Sequence, residues 1–174
     1  MTLENESTAD VPDSRHQVID EFPANGVWAR GMGDFLVEAH EWLRAELAAL
    51  RDRLDRDGAV ADLGEQLRAH CRTFCSALTE HHAGEDRGAF PLLAQRFPAL
   101  APALAELGEQ HREVDRMQAE LGELVRGYYP GRSDPDAVRA ELDRLAAELE
   151  AHFRYEERTI VAALNSLGPA PGIG

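Results

Sequence analysis

The chain is short of several things, and each shortage removes a class of protein. It has two cysteines in 174 residues, four apart at Cys71 and Cys75, too few for a disulfide framework. On one helical face they read as a pair of small apolar residues rather than a redox switch or soft-metal site. No stretch of eighteen residues lacks a charge, so a membrane-spanning helix is not expected. The opening stretch, Met1 to Arg15, carries acidic groups without the apolar core of a secretion signal. Basic residues number 18 against 32 acidic, for a formal net charge of -14, which repels nucleic acid and anionic lipid. These absences lead us to expect a cytoplasmic protein with neither a nucleic-acid nor a membrane partner. Few β-branched residues leave little to build strands from.

What the chain has in quantity is alanine, leucine, glutamate and arginine, with 44% apolar residues over the length of one domain. That composition favours helix and suffices for a buried core. Residues 1–27 are turn-rich (Pro12, Pro23, Asn25-Gly26) and read as an N-terminal extension, flexible or covering the bundle end through Val18, Ile19 and Phe22. Residues 28–168 read as the helical domain and 169–174 as a disordered tail. Breaks at Asp57-Gly58, at Phe97-Pro98 through Pro102, and at Tyr129-Pro130-Gly131 predict helices over 28–56, 60–96 and 102–128, and a fourth after an N-cap at Ser133. Short connections make successive helices antiparallel, so the expected fold is an all-α, up-and-down four-helix bundle.

Each helix carries an apolar stripe interrupted by polar residues. The first runs Leu36, His40, Leu43, Leu47, Leu50 and Leu54. The second runs Leu67, Cys71, Phe74, Leu78, His81, Glu85 and Leu92, with a kink expected at Pro91. The third has Leu104, Leu107, His111, Val114, Leu121 and Val125; the fourth has Val138, Leu142, Leu145, Leu149, His152, Glu156, Ile160 and Ala163.

The interruptions repeat. His40 and His111 lie 71 residues apart, as do His81 and His152, and the same shift lays Glu85 on Glu156, Leu36 on Leu107 and Phe74 on Leu145. The fold is therefore two similar hairpins, each supplying one lone histidine and one His-x-x-x-Glu pair. Residues four apart share a helical face with Cβ atoms about 5 to 6 Å apart, so such a pair can reach one metal. Any one buried histidine is as readily a satisfied core residue. Four imidazoles and two carboxylates meeting in one core are different. They would cost several kcal/mol per uncompensated charge, against a total stability of about 5 to 15 kcal/mol. A cation is thus expected, in preference to a purely hydrogen-bonded polar core. Six nitrogen and oxygen donors exceed what one tetrahedral zinc takes, and carboxylates on opposed helices suit bridging two ions. Two irons fit best, and manganese is compatible with the same donors.

Asp115, four residues after His111, is a further candidate ligand, although the repeat sets it on Arg44. His82 is another: with Asp86 it forms a second i,i+4 pair turned about 100° from the first, either competing for the metal or forming an outer layer. The repeat favours His81, because His82 falls on Phe153. Tyr155 flanks the fourth-helix ligands but reads as a packed aromatic. Trp28 and Trp42 read as packing or interface residues, and His70 as surface.

His81-His82-Ala83-Gly84-Glu85-Asp86 followed by Phe90-Pro91, the lone His40 and His111, and His152-Phe153-Arg154-Tyr155-Glu156-Glu157 together resemble the metal-binding pattern of the hemerythrin-like HHE-domain family. The resemblance covers roughly residues 35–165. It implies a four-helix bundle around an oxo- or hydroxo-bridged diiron centre held by His40, His81, Glu85, His111, His152 and Glu156, the glutamates bridging. The oxygen-carrying hemerythrins of animals have a second histidine four residues on in the third helix and a His-x-x-x-x-Asp spacing in the fourth. Asp115 and Glu156 stand there instead, which is similar to bacterial relatives linked to oxygen, peroxide, nitric oxide or iron chemistry.

The function expected is therefore that of a non-haem diiron oxidoreductase that activates oxygen or decomposes peroxide or nitric oxide, with a small-molecule substrate as a further partner. The metal centre itself carries the chemistry, and Tyr155 is the one side chain considered for a catalytic part. The alternative is a module that senses, binds or stores oxygen, nitric oxide or iron. If Asp115 faces the irons, its charge favours the ferric state and oxidation over reversible carriage.

Overall fold

The structure, a computed structural model, describes residues 31–55 and 63–168. The expectations for residues 1–27 and 169–174, for Trp28 and for the break at Asp57-Gly58 fall outside the described residues. The helices are α1 Met32–Asp55, α2 Leu63–Gly84, α3 Phe90–Arg96, α4 Ala101–Arg126 and α5 Pro135–Ser166. α1 packs on α2 and α5, and α4 packs on the same two, so these four close an all-α bundle in which α3 extends α2 and leans on α4. Among the described residues no helix is long and apolar enough to cross a membrane.

Local chemistry sets the helix ends. Pro102 and Pro135 lie in the first turns of α4 and α5, where a missing N–H leaves no bond unmade. The N-cap of α5 is Asp134 rather than the expected Ser133: the Asp134 carboxylate accepts the Asp136 N–H at 2.9 Å. Ser133 stands one residue too early and instead accepts the Tyr129 N–H at 3.0 Å. Gly131 turns the α4–α5 connection with φ of 74°, a conformation that favours glycine. At the opposite end α1 runs so near α5 that a Cβ on Gly33 would stand 2.5 Å from the Val161 carbonyl oxygen. Asn165 uses that proximity, accepting the Gly33 N–H at 2.9 Å and donating to Asp34 at 3.1 Å.

A π turn over Glu85–Ala89 separates α2 from α3. The buried stripe runs Leu67, Cys71, Phe74, Leu78, His82 and Glu85, then steps five residues to Phe90 before Leu93. The Phe90 N–H bonds the Glu85 carbonyl five residues back, which is the extra residue of a π turn. Everything beyond is rotated, so Leu93 is buried and Leu92 is 42% exposed. This corrects the expectation that Leu92 continues the stripe, and it makes the break a wide turn completed just before Pro91 rather than a proline kink.

The apolar core is split. One cluster runs from Leu43 and Phe153 to Leu54, Leu67 and Tyr128. The other gathers Leu36, Phe90, Leu93, Leu104, Leu107, Ile160 and Leu164. Between them lies a layer about one turn thick holding buried His40, His82, Glu85, His111, His152 and Glu156.

Candidate metal centre

Each bundle helix contributes to the polar layer at the place where its apolar stripe is interrupted. The donor atoms gather into two groups: His40, His81, Glu85 and Glu156 in one, and His82, His111 and His152 in the other, with the atoms of each group within 4.8 Å of one another. The carboxylates join the groups. Glu85 Oε1 lies 3.1 Å from His81 Nε2, and its Oε2 lies 3.5 Å from His111 Nε2. Glu156 Oε2 lies 3.3 Å from His40 Nε2 and 3.6 Å from His152 Nε2. Neighbouring ligands of an octahedral ion with bonds of about 2.1 Å stand about 3 Å apart, so this spacing suits donors around a cation.

A second ring of hydrogen bonds orients the imidazoles. His40 Nδ1–H donates to Glu157 and His111 Nδ1–H donates to Asp86, each at 2.9 Å. His152 Nδ1–H donates to the Gln110 amide oxygen, also at 2.9 Å. A proton fixed on Nδ1 leaves the Nε2 lone pair facing the layer, as metal ligation requires. Glu157 in turn accepts from Arg44 at 3.0 Å. Burial would raise its pKa, but the bonds from Arg44 and His40 outweigh burial and hold it below the usual carboxylate range.

The electrostatics of the protein alone are those of a cation site. Burial, then Glu156 and Asp86, pushes the Glu85 carboxyl up to about 10. Burial and the neighbouring imidazoles push His81 and His152 down to about 3, and His82 lower still. Both oxygens of Glu85, both of Glu156, His111 Nε2, His152 Nε2 and both nitrogens of His82 are buried without a hydrogen-bond partner. Buried polar atoms are normally partnered. Eight orphaned atoms facing one layer, all of them metal-ligating types, fit a metal there.

The family description "Hemerythrin HHE cation binding domain" matches residues 32–164. The chain belongs to that family. Searches of curated proteins and of solved structures returned no match. Cation binding by this hemerythrin HHE domain therefore rests on both the family and the donor cluster.

The structure brings His40, His81, Glu85, His111, His152 and Glu156 into the layer, and it adds His82. The His82 ring is 2% exposed and stacks on His111 with centroids 4.0 Å apart. The helix arc facing the interior is wide enough to admit two positions 100° apart, so His81 and His82 both enter it. Asp115 is not brought in. It is exposed and accepts from Gln118 at 3.5 Å, so the expectation built on its charge facing the metals has no footing. Tyr155 is partly buried in the second apolar cluster, with its hydroxyl donating to Glu106 at 3.0 Å. His70 reaches Glu46 at 2.7 Å across α1 and α2, and Trp42 is 45% exposed.

Sequence reasoning passed over Gln110, Phe153 and Glu157. The repeat carried a signal for the last, since Glu157 falls on Asp86. Phe153 stacks on His40 with centroids 4.0 Å apart, the counterpart of His82 on His111.

Proposed function

We propose that this hemerythrin HHE domain holds two irons: one at His40 and His81, the other at His82, His111 and His152, with Glu85 and Glu156 spanning both. Manganese fits the same donors. The observation that carries this reading is the reach of the carboxylates, each lying within 3.6 Å of a histidine from either group. A single ion would use one group and leave donor atoms of the other buried without a partner.

We further propose that the centre works as a redox enzyme on dioxygen, peroxide or nitric oxide. When bound, a pair of irons supplies two electrons to such a partner. The protein sets where that partner enters. Phe153 occupies, beside His40, the place that His82 takes beside His111, so an ion held by His40 and His81 would have one imidazole fewer, with an apolar ring where the other has a donor, and a small ligand would take the position left without an imidazole. The carboxylates of Glu157 and Asp86 behind His40 and His111 strengthen these imidazoles as donors and favour the ferric state. Oxidation to product, rather than storage of a releasable adduct, follows from that bias.

The test begins with iron and manganese content of the loaded full chain, expected at about two ions. One zinc and no iron would overturn the dinuclear reading. Reduced protein is then mixed with oxygen, peroxide and nitric oxide in turn, and oxygen is withdrawn under vacuum. We expect turnover or a lasting oxidised spectrum. Full return of the starting spectrum over repeated cycles would support a binding module instead.

A further inference from the structure

About two to three turns before His82 on α2, outside the metal layer, lies a second reactive group. The Cys71 and Cys75 sulfurs lie 3.7 Å apart and share a hydrogen bond in which either can donate. Cys71 is buried and Cys75 half-buried. Both line a groove of about 310 Å³ between α2 and α4, walled by Arg68, Arg72, Arg126 and Glu123, the last two paired at 2.6 Å. Gln118 lines it too and is 7% exposed, and its Oε1 is buried with no donor.

These features select one ligand chemistry. Three guanidiniums against the one carboxylate of Glu123, already paired with Arg126, leave the wall net positive, which disfavours a metal cation and favours a molecule bearing carboxylates. An orphaned amide oxygen calls for an N–H or O–H donor. Two thiols sharing a proton supply a nucleophile. They are poorly placed to close on each other, because i,i+4 Cβ atoms stand about 5 to 6 Å apart and a disulfide needs about 3.5 to 4.5 Å. We propose that the Cys71–Cys75 pair is a thiol-exchange site that takes a small anionic, amide-bearing thiol as a mixed disulfide on Cys75.

The step needs a disulfide of that thiol as co-reactant. The Cys75 sulfur attacks one of its sulfurs, a new S–S bond forms as the old one breaks, and the departing thiolate takes the proton released by the pair. Cys71 keeps its own proton. The hydrogen bond from the Cys75 S–H, aided by Arg72, holds the Cys71 thiol below its usual range despite burial, and the same contact together with burial pushes the Cys75 thiol up, so the pair as a unit releases one proton readily and holds the second. Since the proton is shared, either sulfur can carry the anion, and Cys75 is the more open to the groove.

The test incubates the full-length protein with oxidised glutathione or with cystamine, a cationic disulfide of similar reactivity, and follows intact mass and peptide maps. We expect one glutathionyl group per chain, on Cys75, formed several-fold faster than the cystamine adduct. Cys75→Ser should abolish it. Cys71→Ser should slow it by about threefold, through loss of the shared proton. Arg72→Glu with Arg126→Glu should reverse the preference while leaving the circular-dichroism melt in place, which separates a site effect from misfolding. No adduct, an adduct on Cys71, faster reaction with cystamine, or an internal disulfide in place of the adduct would each overturn the proposal.

Discussion

The half of the centre built around His40 and the half built around His111 play the same parts under the 71-residue shift. His40 leans on Glu157 and stacks on Phe153; His111 leans on Asp86 and stacks on His82. Each of these partners is the repeat counterpart of the other. Around the imidazoles the halves part company in kind at His82 against Phe153, at Gln110 against Ala39, and at Asp115 against Arg44. Arg44 pairs with Glu150 at 2.7 Å and with Glu157, and lies over the Phe153 ring, whereas Asp115 is turned to solvent. Repetition thus explains the paired frame of donors on which the proposed two-ion centre rests, and the departures from it explain why its two halves differ.

The largest expected effect comes from residues that belong to both halves. Glu85→Ala or Glu156→Ala should empty both places, whereas His152→Ala should weaken mainly one. Elemental analysis is expected to fall to near zero for the glutamates and to about half for the histidine. The melt should follow, because an ion at a hundred to a thousand times its Kd stabilises the fold by about 3 to 4 kcal/mol. Equal losses from the glutamate and the histidine variants would break the two-halves description.

The next step makes the halves alike. His82→Phe should leave two imidazoles on each side and lower the content toward one tightly held ion. Phe153→His should add a donor beside His40 and close the open place. Azide affinity of the oxidised protein, followed optically, should fall by about tenfold or more in Phe153→His. Unchanged azide binding would mean that the small ligand enters elsewhere.

Much of this was legible in the sequence, and the misses have physical causes. Buried residues at helical spacing identified the bundle, and the repeat identified His40, His81, Glu85, His111, His152 and Glu156, because a stripe interrupted at matching heights reports a shared layer. The same repeat argued against His82. It compared His82 with Phe153 and could not tell that both positions point inward, one as a ligand type and the other as a stacking ring. The π turn was hidden because periodicity assumes one residue count per turn, although the step from Glu85 to Phe90 and the neighbouring Gly84, Gly88 and Pro91 were in view. Asp115 misled because i,i+4 spacing fixes a helix face only when the first residue lies near the middle of the buried arc. His111 lies toward one side of it, so Asp115 comes out into water while Val114 is 2% exposed.

Proton release sharpens the comparison between metal-free and metal-bound protein. With Glu85 raised to about 10 and His81 and His152 lowered to about 3, the metal-free layer at neutral pH holds a protonated carboxyl and neutral rings. Loading should expel about one proton, measurable by calorimetry in buffers of different ionisation heat. The signs for folding are opposite. A raised carboxyl stabilises the metal-free fold below its ordinary 4.5 and loses that contribution as pH climbs toward about 10. The lowered histidines contribute above their ordinary 6.5 and lose it as pH falls toward about 3. At least two rings outweigh one carboxyl below 6.5, so the metal-free melting temperature should peak near pH 6.5 and decline on the alkaline side. A metal-free melt that kept rising to pH 9 would remove Glu85 as the source.

The smallest expected effect lies at Gln110, where one half has an amide and the other only Ala39. His152 is backed by a neutral acceptor, while His40 and His111 are backed by carboxylates. A charged acceptor makes a hydrogen bond roughly twice as strong as a neutral one and gives the ring more anionic character. Gln110→Glu should therefore favour the ferric state by about 1 kcal/mol, on the order of 40 mV lower in reduction potential for one electron. Gln110 also lines a groove of about 170 Å³ with Glu113 and Glu148, so the introduced carboxylate would be partly hydrated and the shift would sit at the lower end. Gln110→Leu removes the acceptor and frees the ring to turn, and metal affinity should drop by about tenfold with little change in potential. Redox titration of both variants beside Asp86→Asn, which should move the potential upward, tests whether the acceptor acts through its charge. If Gln110→Glu and Asp86→Asn shift the potential in the same direction, the backing carboxylates do not tune these imidazoles as donors, and the asymmetry of the centre rests on His82 and Phe153 alone.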